Sequence, residues 1–388
     1  MKSVLLALGV VIAAASFAVA GCASSPGTAA TDTTATSGQP STTTLAITRT
    51  TASNTWTDLK PVGDLPPARS SPSMVYDPAN GQVILFGGYN NDASGWTSVN
   101  DPCPYVFNDT WAYDPTANTW TDLKPVGDLP PARTGHSMVY DSASGQVILF
   151  GGFGDLDNLD DTWAYDPTAN TWTDLKPVGD LPPAVSYSSM VYDLASGKAI
   201  LFGGQGLLGD SWTQFNDTWT YDPAANTWTR LTPTGDLPPA ELVPYMVYDS
   251  ASGKVILFGG NGANDAYYVN DTWAYDPTAN TWTDLEPAAS PPPELCSFSM
   301  VYDSASGKVV LFGGSLGTGE VQSNDTWAYD PTANTWTDLK PVGDLPPVRE
   351  LHSTVYDSAS GQVILFGGVD RRWVVTALND TWAYGGGP

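Results

Sequence analysis

The chain has 388 residues, 41% of them hydrophobic, and sets 41 acidic against 15 basic side chains for a formal charge of −26. That balance repels a phosphate backbone and excludes nucleic acid as a partner. Three cysteines cannot build a disulfide framework, and the folding sequence, about 335 residues, is too long for an ordinary single core, which points to internal repetition.

The first predicted element is an export signal over residues 1–21: Lys2, an apolar run from Val4 to Ala20, then small residues up to Cys22. Val19-Ala20-Gly21-Cys22 resembles the lipobox of bacterial lipoproteins. The resemblance implies export, lipidation of Cys22 and residence on the extracytoplasmic face of a cell membrane, with the lipid as the sole membrane contact. Residues 22–50 are Ser, Thr, Ala, Gly and Pro with almost no large apolar side chain, a composition that cannot offset chain entropy and reads as a disordered tether. Coil scaling gives such a tether a reach of roughly 30 Å.

From there a pattern repeats. Phe-Gly-Gly recurs at Phe86, Phe150, Phe202, Phe258, Phe312 and Phe366, at intervals of 52 to 64 residues, the period of propeller blades. Each unit holds four predicted strands: A (Ser-Met-Val-Tyr-Asp, as at 137–141), B (Gln-Val-Ile-Leu-Phe-Gly-Gly, 146–152), C (Asn-Asp-Thr-Trp-Ala-Tyr-Asp, 108–114) and D (Asn-Thr-Trp-Thr-Asp-Leu, 118–123). All are β-branched and aromatic, and Asp-Ser-Ala-Ser-Gly or Asp-Pro-Thr-Ala-Asn turns separate A from B and C from D. A D segment at 54–59 precedes any A, and a C segment at 379–384 has no D after it. The expected fold is all-β: a six-bladed propeller over 51–388, with four antiparallel strands per blade, closed by pairing those two segments so that no sheet edge is left open.

These segments, with Pro-Pro-Ala-Arg and Gly-His-Ser ahead of strand A as at 130–137, resemble kelch repeats across 54–384. The resemblance implies a monomeric propeller but fixes no single activity. Similar kelch propellers include a sialic acid mutarotase and the copper enzyme galactose oxidase. The copper site needs two His and two Tyr, whereas His136 and His352 both fall at the repeat position before strand A, so no metal, cofactor or catalytic residue is assigned. The acidic loop at 155–161 has oxygen ligands for Ca²⁺ but lacks the spacing and glycine of an EF-hand.

Most aspartates recur blade by blade and read as solvated turn residues. In an up-and-down blade the A–B and C–D turns share one end, and here they are near copies. The B–C segments (89–107, 153–159, 205–215, 261–269, 315–323 and 369–378) share neither length nor sequence, and with the D–A connections they form a variable end. Thirteen nonrepeated aromatics gather there, among them Trp96, Trp212, Trp373, Tyr187, Tyr245, Tyr267 and Tyr268, which predicts a face for sugar stacking or protein contact. Arg69, Arg133 and Arg349 hold one position before strand A in blades 1, 2 and 6, and Arg371 and Arg372 lie in the B–C segment of blade 6. Together they predict a positive sector for an anionic ligand. At the matching position the other blades are read as carrying Val185, Glu241 and Glu294. Cys103 and Cys296 share the variable end, where only the long 89–107 loop could bring them within bonding distance. The function expected is a lipid-anchored, extracytoplasmic binding module for a carbohydrate or protein ligand. The alternatives are a structural envelope protein and an enzyme resembling the mutarotase, with Arg349 or Arg133 holding a carboxylate while Glu241 or Glu294 moves a proton.

Overall fold

The computed structural model describes residues 54–90, 106–154, 157–209, 211–240, 243–262, 268–288, 291–317, 321–372 and 375–385. Among the described residues all regular structure is β, and six main sheets carry it. Blade 1 is typical: Ser73–Asp77, Gln82–Phe86, Thr110–Asp114 and Thr119–Asp122 pair antiparallel in chain order as strands A to D. The A strands (Ser73–Asp77, Ser137–Asp141, Ser189–Asp193, Tyr245–Asp249, Ser299–Asp303 and Ser353–Asp357) touch their neighbours in sequence, and the last touches the first. The blades therefore ring an axis.

Strand B stops at the phenylalanine in most blades, short of the predicted glycine pair, because Gly151 and Gly152 turn to φ of 67° and 101°. Only glycine fits there: a Cβ on Gly151 would lie 2.7 Å from the carbonyl oxygen of Val185 in the next blade. Blade 4 departs from this, its B and C strands running on over Lys254–Asn261 and Tyr268–Asp276 past an irregularity at Phe258/Gly260.

Packing between blades follows from B strands that are apolar at nearly every position. One cluster joins Val75, Ile84 and Phe86 of blade 1 to Met138, Leu149 and Trp172 of blade 2, and comparable clusters fill the other gaps. Each D-strand Trp also donates its indole N–H to the Thr that opens strand C of the preceding blade. Trp120 reaches Thr381 at 3.0 Å, Trp172 reaches Thr110 at 3.0 Å, and Trp56 reaches Thr326 at 2.9 Å. The C–D turn Asn, at positive φ, adds a second latch, as when Asn118 Nδ2 donates to Leu59 O at 2.7 Å.

Closure is visible in the last blade. Ser353–Asp357, Gln362–Phe366 and Thr381–Gly385 supply A, B and C, and Thr55–Asp58 from the other end of the chain supplies D, with Trp56 opposite Tyr384. The Tyr-to-Asn bond made inside blade 1 between Tyr113 and Asn118 (2.8 Å) is made here between Tyr384 and Asn54 (2.9 Å). The D–A connections blunt outer edges, as where Val178–Gly179 lies parallel to Thr227–Trp228.

At the turn end the aspartates differ from the expected solvated residues. The one closing each A strand is buried: Asp77, Asp141, Asp193, Asp249, Asp303 and Asp357. Each caps its own turn, Asp141 accepting from Ala143 N at 2.9 Å, and each takes the phenol of the next blade, as Asp141 takes Tyr192 at 2.5 Å. Burial and that carboxylate push the A-strand tyrosine phenols up to about 12. Between the A strands runs an axial channel of about 340 Å³, lined by their Val-Tyr pairs.

Candidate functional site at the loop end of the channel

Two residues before each A strand the backbone turns left-handed, at Ser71, Gly135, Tyr187, Val243, Ser297 and Leu351, with φ between 48° and 61°. Five of the six are not glycine, and each such turn costs about 1–3 kcal/mol unless its surroundings hold it. Hydrogen bonds from blade to blade hold five of the six: Tyr187 N to Gly135 O at 2.7 Å, Ser71 N to Leu351 O at 2.7 Å, and Leu351 N to Ser297 O at 2.8 Å. The result is a collar around the axis at the loop end. Gly135 is glycine because the Tyr187 ring lies on it; a Cβ would sit 2.9 Å from Cε1 of that ring.

Residues that break the repeat converge on this collar from four blades. The position preceding the collar residue carries a small hydroxyl in Ser70, Thr134 and Ser186, but Cys296 in blade 5 and Glu350 in blade 6; all five bridge to the residue that opens their own B–C segment. Glu350 is buried and accepts hydrogen bonds from the Ser315 hydroxyl and from Nε of Arg371. The backbone N–H of Arg371 donates to Gln322 Oε1 at 2.8 Å, and Gln322 Nε2 donates to Val369 O at 2.9 Å. Among the described residues Nη1 and Nη2 of Arg371 hold no partner, so Glu350 fixes the arginine by its inner nitrogen and leaves the fork open.

Three tyrosines face this pair. Tyr187 comes from the collar of blade 3, and burial raises its phenol while Arg371 pulls it back. Tyr245 replaces the serine that opens most A strands, places its ring 4.2 Å from that of Phe298, and is raised well above its ordinary range by burial and by nearby Cys296 and Glu350. Tyr268, at the foot of the blade 4 B–C segment, is raised by burial and its bond to Cys296. Burial in turn lifts the Cys296 thiol to about 11, so it is a weak donor rather than a nucleophile. A guanidinium fork, a fixed carboxylate and three protonated phenols can bind an oxyanion and stack on a ring.

Comparison with known proteins places this architecture. The model of the KLHDC2/KLHL20/DRC7 Kelch-repeats domain matches residues 94–314, and that of the Kelch motif matches 304–343. The chain belongs to the kelch-repeat family. It is 25% identical over 305 residues to Kelch domain-containing protein 3 of Bos taurus, covering 74% of each chain. It is 26% identical over 326 residues to Kelch domain-containing protein 1 of Mus musculus, again 74% of each.

Within this kelch propeller the predicted arginine sector does not form. Arg69, Arg133 and Arg349 are completely buried, each inside its own blade. Arg133 grips Asp161 with both Nη atoms at 2.6 and 2.7 Å, donates to Gly151 O at 2.9 Å and to Pro131 O at 3.0 Å. Arg69 repeats this with Asp109, its guanidinium 4.0 Å from the Phe107 ring, and Arg349 with Asp380. These are blade-internal braces, and breaking such a buried pair costs about 3–5 kcal/mol. Asp161 is thereby also withdrawn from the acidic loop considered for Ca²⁺, whose residues 155–156 lie outside the described residues. Of the five arginines only Arg371 stands at the channel mouth; Arg372 is exposed and pairs with Asp370 at 2.7 Å.

The matching position in blade 5 is Leu295, four residues ahead of strand A as Arg133 is; Glu294 sits one residue earlier and is exposed. Trp212 stands half exposed on a hairpin formed by Gln205–Leu208 and Ser211–Gln214. Short hairpins of this kind occupy four other B–C segments where the sequence suggested only irregular loops, as at Val369–Asp370 with Thr376–Ala377. Trp96, Trp373, Tyr267, Glu241, Cys22 and Cys103 lie outside the described residues. Glu350, Gln322 and Cys296 were not expected in the site. The signal was present: aligning the six repeats shows Glu350 where four of the other five blades carry Ser, Thr or Cys and the fifth carries Leu242.

Proposed function

We propose that this kelch chain is an exported, lipid-anchored binding module whose loop face takes a carbohydrate carrying a carboxylate. The observation that carries the reading is Arg371, held by Glu350 through Nε with its fork unpartnered among the described residues, beside Tyr187, Tyr245 and Tyr268 at the channel mouth. A planar fork suits a carboxylate, and tyrosine rings with a polar tip suit a sugar face. Asn54 occupies the C–D turn of blade 6, at the end of the propeller opposite the loop face. The mutarotase alternative lacks the carboxylate holders assigned to it, because Arg133 and Arg349 already hold aspartates inside the fold.

The anchor rests on the residues around Cys22 and is tested separately. The wild-type chain expressed in a bacterium is expected to partition into detergent, and Cys22→Ser into the aqueous phase. Detergent partitioning that survives the substitution refutes lipidation at this site. The soluble Cys22→Ser chain is then the reagent for a glycan array, on which acidic sugars should be retained above their neutral counterparts.

A further inference from the structure

The B–C hairpin of blade 5 pairs Ser315–Leu316 with Val321–Gln322, and its first and last residues stand opposite each other in register. Both reach into blade 6. The Ser315 hydroxyl donates to Glu350, the residue that holds Nε of Arg371. Gln322 is buried and takes the main chain of the segment that carries Arg371: its Oε1 accepts from the Arg371 N–H at 2.8 Å, and its Nε2 donates to Val369 O at 2.9 Å. Arg371 follows the two paired positions of its own hairpin, Val369–Asp370 with Thr376–Ala377, and its main-chain N–H goes to the neighbouring blade instead.

Gln322 thus has two roles, which another blade keeps apart. The place opposite the residue that opens the B–C segment is Val106, Asn158, Gln214, Tyr268 and Ala377 in blades 1, 2, 3, 4 and 6. Asn158 makes one of the two bonds: its Nδ2 donates to Gln205 O of blade 3 at 3.1 Å, as Gln322 Nε2 donates to Val369 O of blade 6. Gln205 and Val369 are equivalent, each following the glycine pair of its blade. That bond latches one blade to the next. The second bond is missing in blade 2, where Asn158 Oδ1 is buried with no partner among the described residues. Gln322 is longer by one methylene, and its Oε1 reaches the N–H two residues past the latch. Ser315 also departs from its repeat: the other openers are Tyr89, Phe153, Gln205, Asn261 and Val369, none of them a small hydroxyl that could donate to Glu350 from that place.

We propose that Gln322 is a positioning residue for carboxylate recognition, with Ser315 acting likewise through Glu350; this rests on Arg371 as the group that binds the carboxylate. An arginine has several torsions to fix before its fork can meet both oxygens of a carboxylate, and ordering them on binding costs affinity. Here the order precedes the ligand. Gln322 fixes the main chain from which the side chain springs, Glu350 fixes Nε, and only the fork is left to the ligand. A fork held in this way discriminates a carboxylate from its ester more sharply than one that can swing aside.

The test is titration calorimetry of methyl glucuronide, a sugar carboxylate, and of its methyl ester, on the full Cys22→Ser chain with and without Gln322→Asn. Asparagine keeps the latch, as Asn158 does, and gives up the hold on Arg371, so the urea midpoint should stay where it is. The acid-to-ester affinity ratio is expected to fall about fivefold, the loss falling on the acid. Ser315→Ala releases Glu350 with Gln322 in place, so it lowers the ratio too and serves as the second variant if the first is unstable. An unchanged ratio in either variant, where Arg371→Ala brings it to one, would overturn the positioning role and leave the site standing. Equal weakening of acid and ester by Gln322→Asn would reduce that residue to a latch. A ratio of one on the unaltered chain would overturn the site and the role together.

Discussion

A chain lacking residues 54–59 is expected to lose cooperative unfolding and to aggregate at concentrations where the intact chain stays in solution. Thr55–Asp58 supply the outer strand of the last blade, and without them Thr381–Gly385 presents a bare edge. The loss reaches further than one strand. Trp56 is buried, its ring centroid 4.7 Å from Phe312 and its N–H on Thr326, so it also ties blade 6 to blade 5, while Asn54 Nδ2 bonds Leu339 O at 2.7 Å. Trp56→Ala alone should cost about 3–5 kcal/mol. The whole strand is then worth a large part of the 5–15 kcal/mol that is the usual stability of a domain. Urea unfolding followed by tryptophan fluorescence measures this; an unchanged midpoint and slope in the deletion would mean that the ring does not depend on its terminal strand.

Acid is expected to unfold the propeller through two histidines. His136 and His352 lie between blades, His136 edge-on to Phe86 at 5.5 Å and against Gly87, where a Cβ would come within 2.8 Å of its Cε1. Burial, and then the neighbouring Arg133 or Arg349, lowers both from 6.5 to about 3. Between those values the unfolded chain binds two protons that the folded chain refuses, so stability is full above about pH 6.5 and falls as the pH drops towards 3. At about 1.4 kcal/mol per pH unit for each histidine, the pair removes about 5 kcal/mol between pH 6.5 and 4.5. Blade 5 supplies the control, since Phe298 fills the same position against Phe258 and Gly259. The double variant His136→Phe, His352→Phe should keep most of its neutral-pH stability at pH 4.5. Below that the lowered aspartates, such as Asp161, begin to protonate and both proteins weaken. Parallel stability–pH curves for the two proteins would remove the histidines from the account.

The fold was legible because its causes are local and repeated six times. Val, Ile, Leu and Phe before a glycine pair specify strand B and its abrupt end, and the orphan segments at 54–59 and 379–384 reveal closure by counting alone. What escaped depends on contacts between distant positions. Arg69 resembles a surface arginine until Asp109, 40 residues on, is seen gripping it. Glu294 was set one position out because blade 5 has three prolines where the other blades have two, and strand A, not the first proline, fixes the register. The site is assembled from residues between 187 and 371, so no window of sequence contains it. Its only local trace is a departure from the repeat, such as Tyr245 for serine or Glu350 for a small side chain.

That site is tested most directly by titration calorimetry of the acidic sugar retained on the array, against its methyl ester, on the chain and on Arg371→Ala. Esterification removes the charge but keeps the ring, so the acid should bind the chain at least about tenfold more tightly than the ester, and Arg371→Ala should bind both alike. Lys198→Ala, which alters a cation on strand B paired with Asp222, should behave as the unaltered chain. Undiminished discrimination in Arg371→Ala, or equal loss in Lys198→Ala, would contradict a loop-face site built on Arg371.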